Sequence, residues 1–106
     1  MSEFIIVPGI GGSGEAHWQT RWQRANPAMH RFSPADWDRP DLDDWIAALD
    51  AAVAAASAPP VLIAHSLGCL LVAHWQLASR RAVAGALLVA VPDPASEAFP
   101  ASVQSF

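Results

Sequence analysis

Charge is scarce in this sequence: only 15% of its 106 residues are Asp, Glu, Lys or Arg, against about 25% in an ordinary globular chain. Six Lys+Arg stand against ten Asp+Glu, for a net charge of −4, and the basic residues form no cluster. Phosphate backbones are held by grouped Lys and Arg, so no nucleic acid partner is expected. No apolar run approaches the roughly 20 residues that span a bilayer, so no membrane partner is expected either. The N-terminus lacks the basic start and apolar core of a secretory signal. A lone cysteine, Cys69, excludes an internal disulfide and suits a reducing, cytoplasmic setting.

What remains is a strongly apolar chain, 53% hydrophobic, long enough for one small domain, residues 1–106. A domain of this size buries about 60–70% of its unfolded surface, so several elements must be covered on more than one face. Nine prolines argue against a continuous helical bundle.

Phe4-Ile5-Ile6-Val7 reads as a strand closed by Pro8-Gly9. The pattern turns helical from Glu15 to Ala25, with Trp18 and Trp22 on one face. Met29 to Phe32 reads as a second strand, and Ser33 to Pro40 as a loop anchored by Trp37. Asp41 then caps a helix whose first turn carries Asp43 and Asp44, acids suited to the positive end of its dipole. Leu42, Trp45, Ile46, Leu49 and Val53 form its apolar stripe. Val61-Leu62-Ile63-Ala64 is apolar at every position, which predicts a central strand of a parallel sheet. The helix from Leu67 to Ser79 is apolar nearly all round and is expected to be buried. Val83 to Val91 supplies a fourth strand, and Pro92 to Phe106 shows no regular pattern. The succession β-α-β-α-β-α-β predicts an α/β fold in three layers: a doubly wound parallel sheet of order 2-1-3-4 with helices on both faces.

Ala64-His65-Ser66-Leu67-Gly68 lies between a buried strand and a buried helix. That is the setting of a nucleophile elbow, G-x-S-x-G, with Ala64 in place of the first glycine. Small residues two before and two after the serine let neighbouring backbone pass close to a strained position. Ser66 Oγ would project from the C-terminal edge of the sheet, and the helix starting at Leu67 would aim its N–H groups at an oxyanion there. A second donor is needed from the loop after an earlier strand. In the order 2-1-3-4 that loop is Gly9-Ile10-Gly11, so the candidate donors are the N–H groups of Leu67 and Ile10, with Gly11 as a third candidate.

The same loop spells G-x-G-x-x-G from Gly9 to Gly14, with Asp36 about 20 residues further on, which is the written form of a dinucleotide-binding turn. Nucleotide binding therefore competes for it. Pro8 before the first glycine and the bulky Trp18 one turn beyond the last argue against that use, because the third glycine normally allows close helix–strand packing.

The stretches "IIVPGIGGSGEAHWQTRW", "VLIAHSLGCLLVAHW" and "GALLVAVPDP", with Asp36-Trp37 and Asp44-Trp45, resemble the small α/β-hydrolases of the retinoblastoma-binding-protein-nine-like and YdeN-like serine hydrolases, from Phe4 to Pro94. The resemblance implies a Ser-Asp-His hydrolase of small-molecule esters or amides, with Ser66 as nucleophile, no cofactor and no metal. Triad order in that fold is serine, acid, histidine. After Ser66 the only histidine is His74, further along the same helix and directed away from the sheet edge. His65 is expected to face away from the serine. His17 lies near the glycine loop and is a candidate pocket residue, as are His65 and Trp18. Asp93 is the candidate acid within the chain, against its reading as a Pro-bounded turn. The expectation is an N-terminal portion of an α/β-hydrolase, truncated before its last strands, with the catalytic Asp and His beyond residue 106. Its fourth strand would expose an apolar edge, and stability would be marginal. A non-catalytic, hydrolase-like binding module is the alternative. Cys69 reads as a small core residue.

Overall fold

The computed structural model describes residues 3–106. Strands and helices alternate along them as β1 (Phe4–Val7), α1 (Trp18–Ala25), β2 (Met29–Arg31), α2 (Leu42–Ala55), β3 (Val61–His65), α3 (Leu67–Ala78) and β4 (Gly85–Val89). The strands form one parallel sheet of order β2-β1-β3-β4, the order that the local pattern and right-handed crossovers predict.

The two faces of the sheet are distinct. Ile5, Val7, Leu62 and Ala64 join the main core with Trp45, Leu49 and Val53 of α2 and Leu71, Val72 and Trp75 of α3. Ile6 and Ile63 are register partners, and alternation turns them to the opposite face. Both are buried there, which is why β1 and β3 are apolar at successive positions. Helix α2 starts where expected: Asp41 Oδ2 accepts the Asp44 N–H at 3.1 Å. Trp45 is fully buried and is ringed edge-on by Phe32, Trp37 and Phe106 at 5.3, 5.7 and 5.6 Å. Trp37 is thus a core anchor of its loop.

Several boundaries differ from the sequence pattern. Helix α1 begins at Trp18, not Glu15, because a turn from Gly14 to His17 comes first and the His17 ring caps the helix. Strand β4 stops at Val89 because Ala90 takes φ 56° and turns the chain. Helix α3 is not buried all round: Leu77 is 90% exposed. The segment after β4 is not patternless. It forms a 3-10 turn at Ala101–Val103 and returns Phe99, Val103 and Phe106 to the core. Leu87 and Leu88 of β4, on opposite faces, are 42% and 47% exposed, so the outer edge of the sheet is apolar, as expected.

Candidate active site

Strand β3 ends at His65 and helix α3 starts at Leu67, so Ser66 alone makes the turn between them. It does so at φ 54°, ψ −124°, a conformation that costs an L-residue on the order of 1–3 kcal/mol. Its N–H donates to Val89 O at 3.0 Å and its C=O accepts from Cys69 N at 2.9 Å, so the backbone is held on both sides. The residues flanking the turn explain how the chain tolerates it. Ala64 is fully buried at the top of the sheet. A methyl on Gly68 would stand 2.2 Å from Val7 O, so α3 can reach the end of β1 only with glycine there.

The glycine loop lies against the elbow. A methyl on Gly9 would fall 3.1 Å from Leu67 N and 3.3 Å from Ser66 Cβ, so the loop passes close to the start of α3 only with glycine there. Among the described residues, the N–H groups of Leu67 and Ile10 have no hydrogen-bond partner. Gly11 is different. Its N–H donates to Trp37 O at 2.9 Å, so it is committed within the loop and is removed from the candidate donors.

Two polar side chains shape this loop from behind. Arg31 at the end of β2 donates Nη1 to the carbonyls of Gly12 and Ser13, Nη2 to Thr20 Oγ1 at 2.9 Å and Nε to Gln23 Oε1 at 2.9 Å. With its carbonyls turned to Arg31, the loop leaves N–H groups on the elbow side. Gln19 is fully buried. Its Nε2 donates to Ile63 O at 2.9 Å and Val7 O at 3.5 Å, while its Oε1 accepts from Ser13 Oγ at 2.5 Å. Gln19 therefore ties the ends of β1 and β3 to the loop. Neither residue is marked by any local sequence pattern.

A cavity of about 240 Å³ opens over the serine, lined by Gly9, Ile10, Ser13, His17, His65, Ser66 and Leu67 on one side and by Pro92, Phe99, Pro100 and Val103 on the other. His65 does not face away from the site as the sequence suggested. It is still paired with Val89 in the ladder and, two residues after Ile63, shares that residue's face of the sheet, where its ring meets His17 edge-on at 4.5 Å. His17 Nδ1 accepts the Gln19 N–H at 3.1 Å, so its neutral ring carries the proton on Nε2. Burial, then the nearby His65 and Arg31, push the His17 pKa below its ordinary value. Trp18 stands behind the pair, 6.0 Å from the His65 ring and 4.9 Å from Trp22, and does not line the cavity.

The other candidates are not brought to Ser66. His74 Nε2 pairs with Phe106 O at 2.6 Å. Asp93 is exposed and its Oδ1 accepts the Ala95 N–H at 2.9 Å in a turn. Cys69 is buried, its Sγ directed at Val89 O at 3.4 Å, and burial pushes its thiol pKa up. Among the described residues no three His, Cys, Asp or Glu side chains are grouped to hold a metal. Gly14 has nothing within 4 Å of its missing methyl, so it makes none of the close helix–strand contact for which a dinucleotide turn uses its third glycine, and Asp36 Oδ1 accepts the N–H groups of Asp38 and Arg39.

A strained serine at the strand-to-helix turn, beside a glycine-rich loop, is also where comparison with known proteins leads. Residues 4–106 match the family of serine hydrolases. The chain belongs to the serine hydrolase family. It is similar to the crystal structure of a protein from Pectobacterium atrosepticum described as a YdeN-like hydrolase, with a TM-score of 0.82 and 33% sequence identity. That likeness covers 89% of this chain and 51% of the other, so the chain spans about half the length of that relative. No curated protein matches it. No helix among the described residues is long and apolar enough to cross a membrane.

Proposed function

We propose that the chain carries the nucleophile and oxyanion hole of a serine hydrolase acting on small carboxylic esters or amides. The carrying observation is Ser66, held at φ 54° at the N-terminus of α3 beside a glycine loop with free N–H groups. In this reading Ser66 Oγ attacks the substrate carbonyl and its proton passes to a general base. The carbonyl oxygen becomes an oxyanion between the N–H groups of Leu67 and Ile10. Collapse of that intermediate expels the alcohol or amine, which takes up the proton. Water then cleaves the acyl-Ser66 ester to release the acid.

Base and acid are assigned to a part of the fold outside the 106 residues, since His17 and His65 are each other's ring neighbours and Asp93 is held in its own turn. A triad stripped of its base retains on the order of 10³–10⁴ over the uncatalysed rate through binding and the oxyanion hole. Turnover by the chain alone is therefore expected to be very low. A cytoplasmic setting is part of the same proposal, on the strength of the single reduced cysteine.

A fluorophosphonate probe tests the assignment. Slow, single-site labelling is expected, located at Ser66 by mass spectrometry of peptides and abolished in Ser66→Ala. Labelling that survives Ser66→Ala would overturn the nucleophile. Absence of labelling in a chain restored to the full length of its relatives would leave a hydrolase-like binding module instead.

A further inference from the structure

Arg31 is a charge built in beneath the site, and no step of the chemistry uses it. It ends β2 at one edge of the sheet, paired with Ile6 in the ladder, and is half-buried behind the glycine loop. Its hydrogen bonds run to the carbonyls of Gly12 and Ser13, the Thr20 hydroxyl and the Gln23 amide oxygen. No carboxylate is among them. Glu15 lines the same surface groove as Arg31, but its carboxylate lies 3.9 Å from Arg24. The two ion pairs among the described residues, Arg24–Glu15 and Arg81–Asp50, leave Arg31 out. A cation partly withdrawn from water without a counter-ion is costly, and burial pushes the Arg31 pKa below its ordinary value. The guanidinium nonetheless stays protonated. A loop that needed only a tether could be held by a neutral side chain, as it already is by Gln19.

The charge is passed on through the loop. Its peptide bonds are trans, so each N–H points opposite to the C=O of the same peptide group. With the carbonyls of Gly12 and Ser13 on the guanidinium, the N–H groups of Ser13 and Gly14 point away from it. Among the described residues neither has a hydrogen-bond partner. A cation bonded to the carbonyl end of a peptide group polarises its N–H end. Ser13 and His17 both line the cavity over Ser66. The field of Arg31 is felt there independently, since after burial and His65 it is Arg31 that pushes the His17 pKa down.

We infer that Arg31 is an electrostatic positioning residue for Ser66: through the glycine loop it keeps a positive potential over the serine, where negative charge develops on the oxygen of an attacked carbonyl. The role rests on the reading of Ser66 as nucleophile; the potential does not.

Fluorophosphonate labelling measures the role. Ser66 Oγ displaces fluoride from phosphorus through a state with negative charge on the phosphonyl oxygen, and the serine proton passes to water. Labelling over a range of probe concentrations gives a limiting rate and a half-saturating concentration, read where urea unfolding shows each variant folded. Arg31→Gln keeps a donor and removes the charge. Its limiting rate is expected to fall at least tenfold, with the half-saturating concentration within about threefold. Arg31→Lys keeps the charge and loses the guanidinium fork, and is expected to label within about threefold of the unaltered chain. The imidazole C–H resonances of His17 give a second readout by NMR: its pKa is expected to rise in Arg31→Gln and to stay low in Arg31→Lys. Arg31→Gln labelling as fast as the unaltered chain would overturn the inference. So would Arg31→Lys labelling no faster than Arg31→Gln, or a His17 pKa that Arg31→Gln leaves in place. Should Arg31→Gln not fold, Arg31→Lys decides alone, and a rate more than tenfold below the unaltered chain counts against the charge. No labelling of the unaltered chain, with His17 still responding to Arg31→Gln, would sink the hydrolase reading and this role with it while the potential stands.

Discussion

Replacing Gly68 by alanine sets two well-defined effects against each other. Gly68 lies in the first turn of α3, where helix propensity alone favours alanine by about 1 kcal/mol. The added methyl, however, would stand 2.2 Å from Val7 O, 2.8 Å from Pro8 O and 3.0 Å from Val7 C. Relief requires α3 and the end of β1 to separate by roughly an ångström, since carbon contacts are comfortable only near 3.5 Å. The obstructing atoms are backbone, and β1 is fixed by ladders to both β2 and β3, so no rotamer change can absorb the overlap. Overpacking of this kind costs about 1–3 kcal/mol and occasionally more, and a rigid neighbour puts the cost at the upper end. The net expectation for Gly68→Ala is a loss of about 2 kcal/mol, which at about 4–8 °C per kcal/mol is a fall in Tm of roughly 8–16 °C. Gly14→Ala serves as the control, because nothing lies within 4 Å of its missing methyl and its φ is not positive. That variant is expected to stay level or gain up to about 1 kcal/mol through the unfolded chain. Urea unfolding of both, read at the midpoint with unchanged slope, decides the matter. A Gly68→Ala chain as stable as its parent would refute the close packing of elbow and first strand.

Other expectations follow from the same geometry. Ser66→Gly should be more stable than Ser66→Ala by about 1 kcal/mol in urea unfolding, since glycine relieves strain on the order of 1–3 kcal/mol and loses about 0.5–1 kcal/mol in chain entropy; equal midpoints would mean the turn is unstrained. Gln19→Leu keeps the bulk but strips Ile63 O and Ser13 Oγ of their buried partner, so it should cost about 2–3 kcal/mol, and a change below about 0.5 kcal/mol would count against the tie. Hydrogen bonds from Ser79, and then from Trp75 and Arg81, hold the Asp50 carboxyl below its ordinary pKa against the opposing effect of burial. A depressed folded pKa contributes stability that is present above the unfolded value of about 3.9 and fades as pH falls through the lower folded one. Urea midpoints of Asp50→Ala and the parent should accordingly converge below pH 4, and a gap that persists to pH 2 would exclude this origin.

The parts of the fold legible in the sequence are those specified by neighbours along the chain. The stripe from Leu42 to Val53 and the cap at Asp41 identify α2 because a helix repeats every few residues. The sheet order follows because crossovers have one hand. Ser66 stands out because its turn needs small residues at fixed offsets, and Gly68 meets that need through a contact with Val7 that the motif does not state. What stayed hidden is bound across the chain. Gln19 reaches Ile63 and Arg31 reaches Gly12, and a polar residue in a short helix or strand announces neither. His65 was misjudged because facing away from the Ser66 side chain does not take it off the cavity: it keeps the face of Ile63, and the turn before α1 brings His17 to that same face. The wall from Phe99 to Phe106 did leave a trace. Phe99, Val103 and Phe106 fall at the i, i+4, i+7 spacing of a helical face, which the surrounding Pro, Ser and Ala obscured.

The seating of Phe106 on Trp45 and His74 separates two things that many enzymes inherit together. The strained turn at Ser66 and the glycine loop reside between Gly9 and Gly68, whereas the segment that closes the other side of the same cavity resides after β4 and leans on α2. Drift in the packing around Trp45 can therefore reshape that side of the cavity while the turn at Ser66 stays untouched.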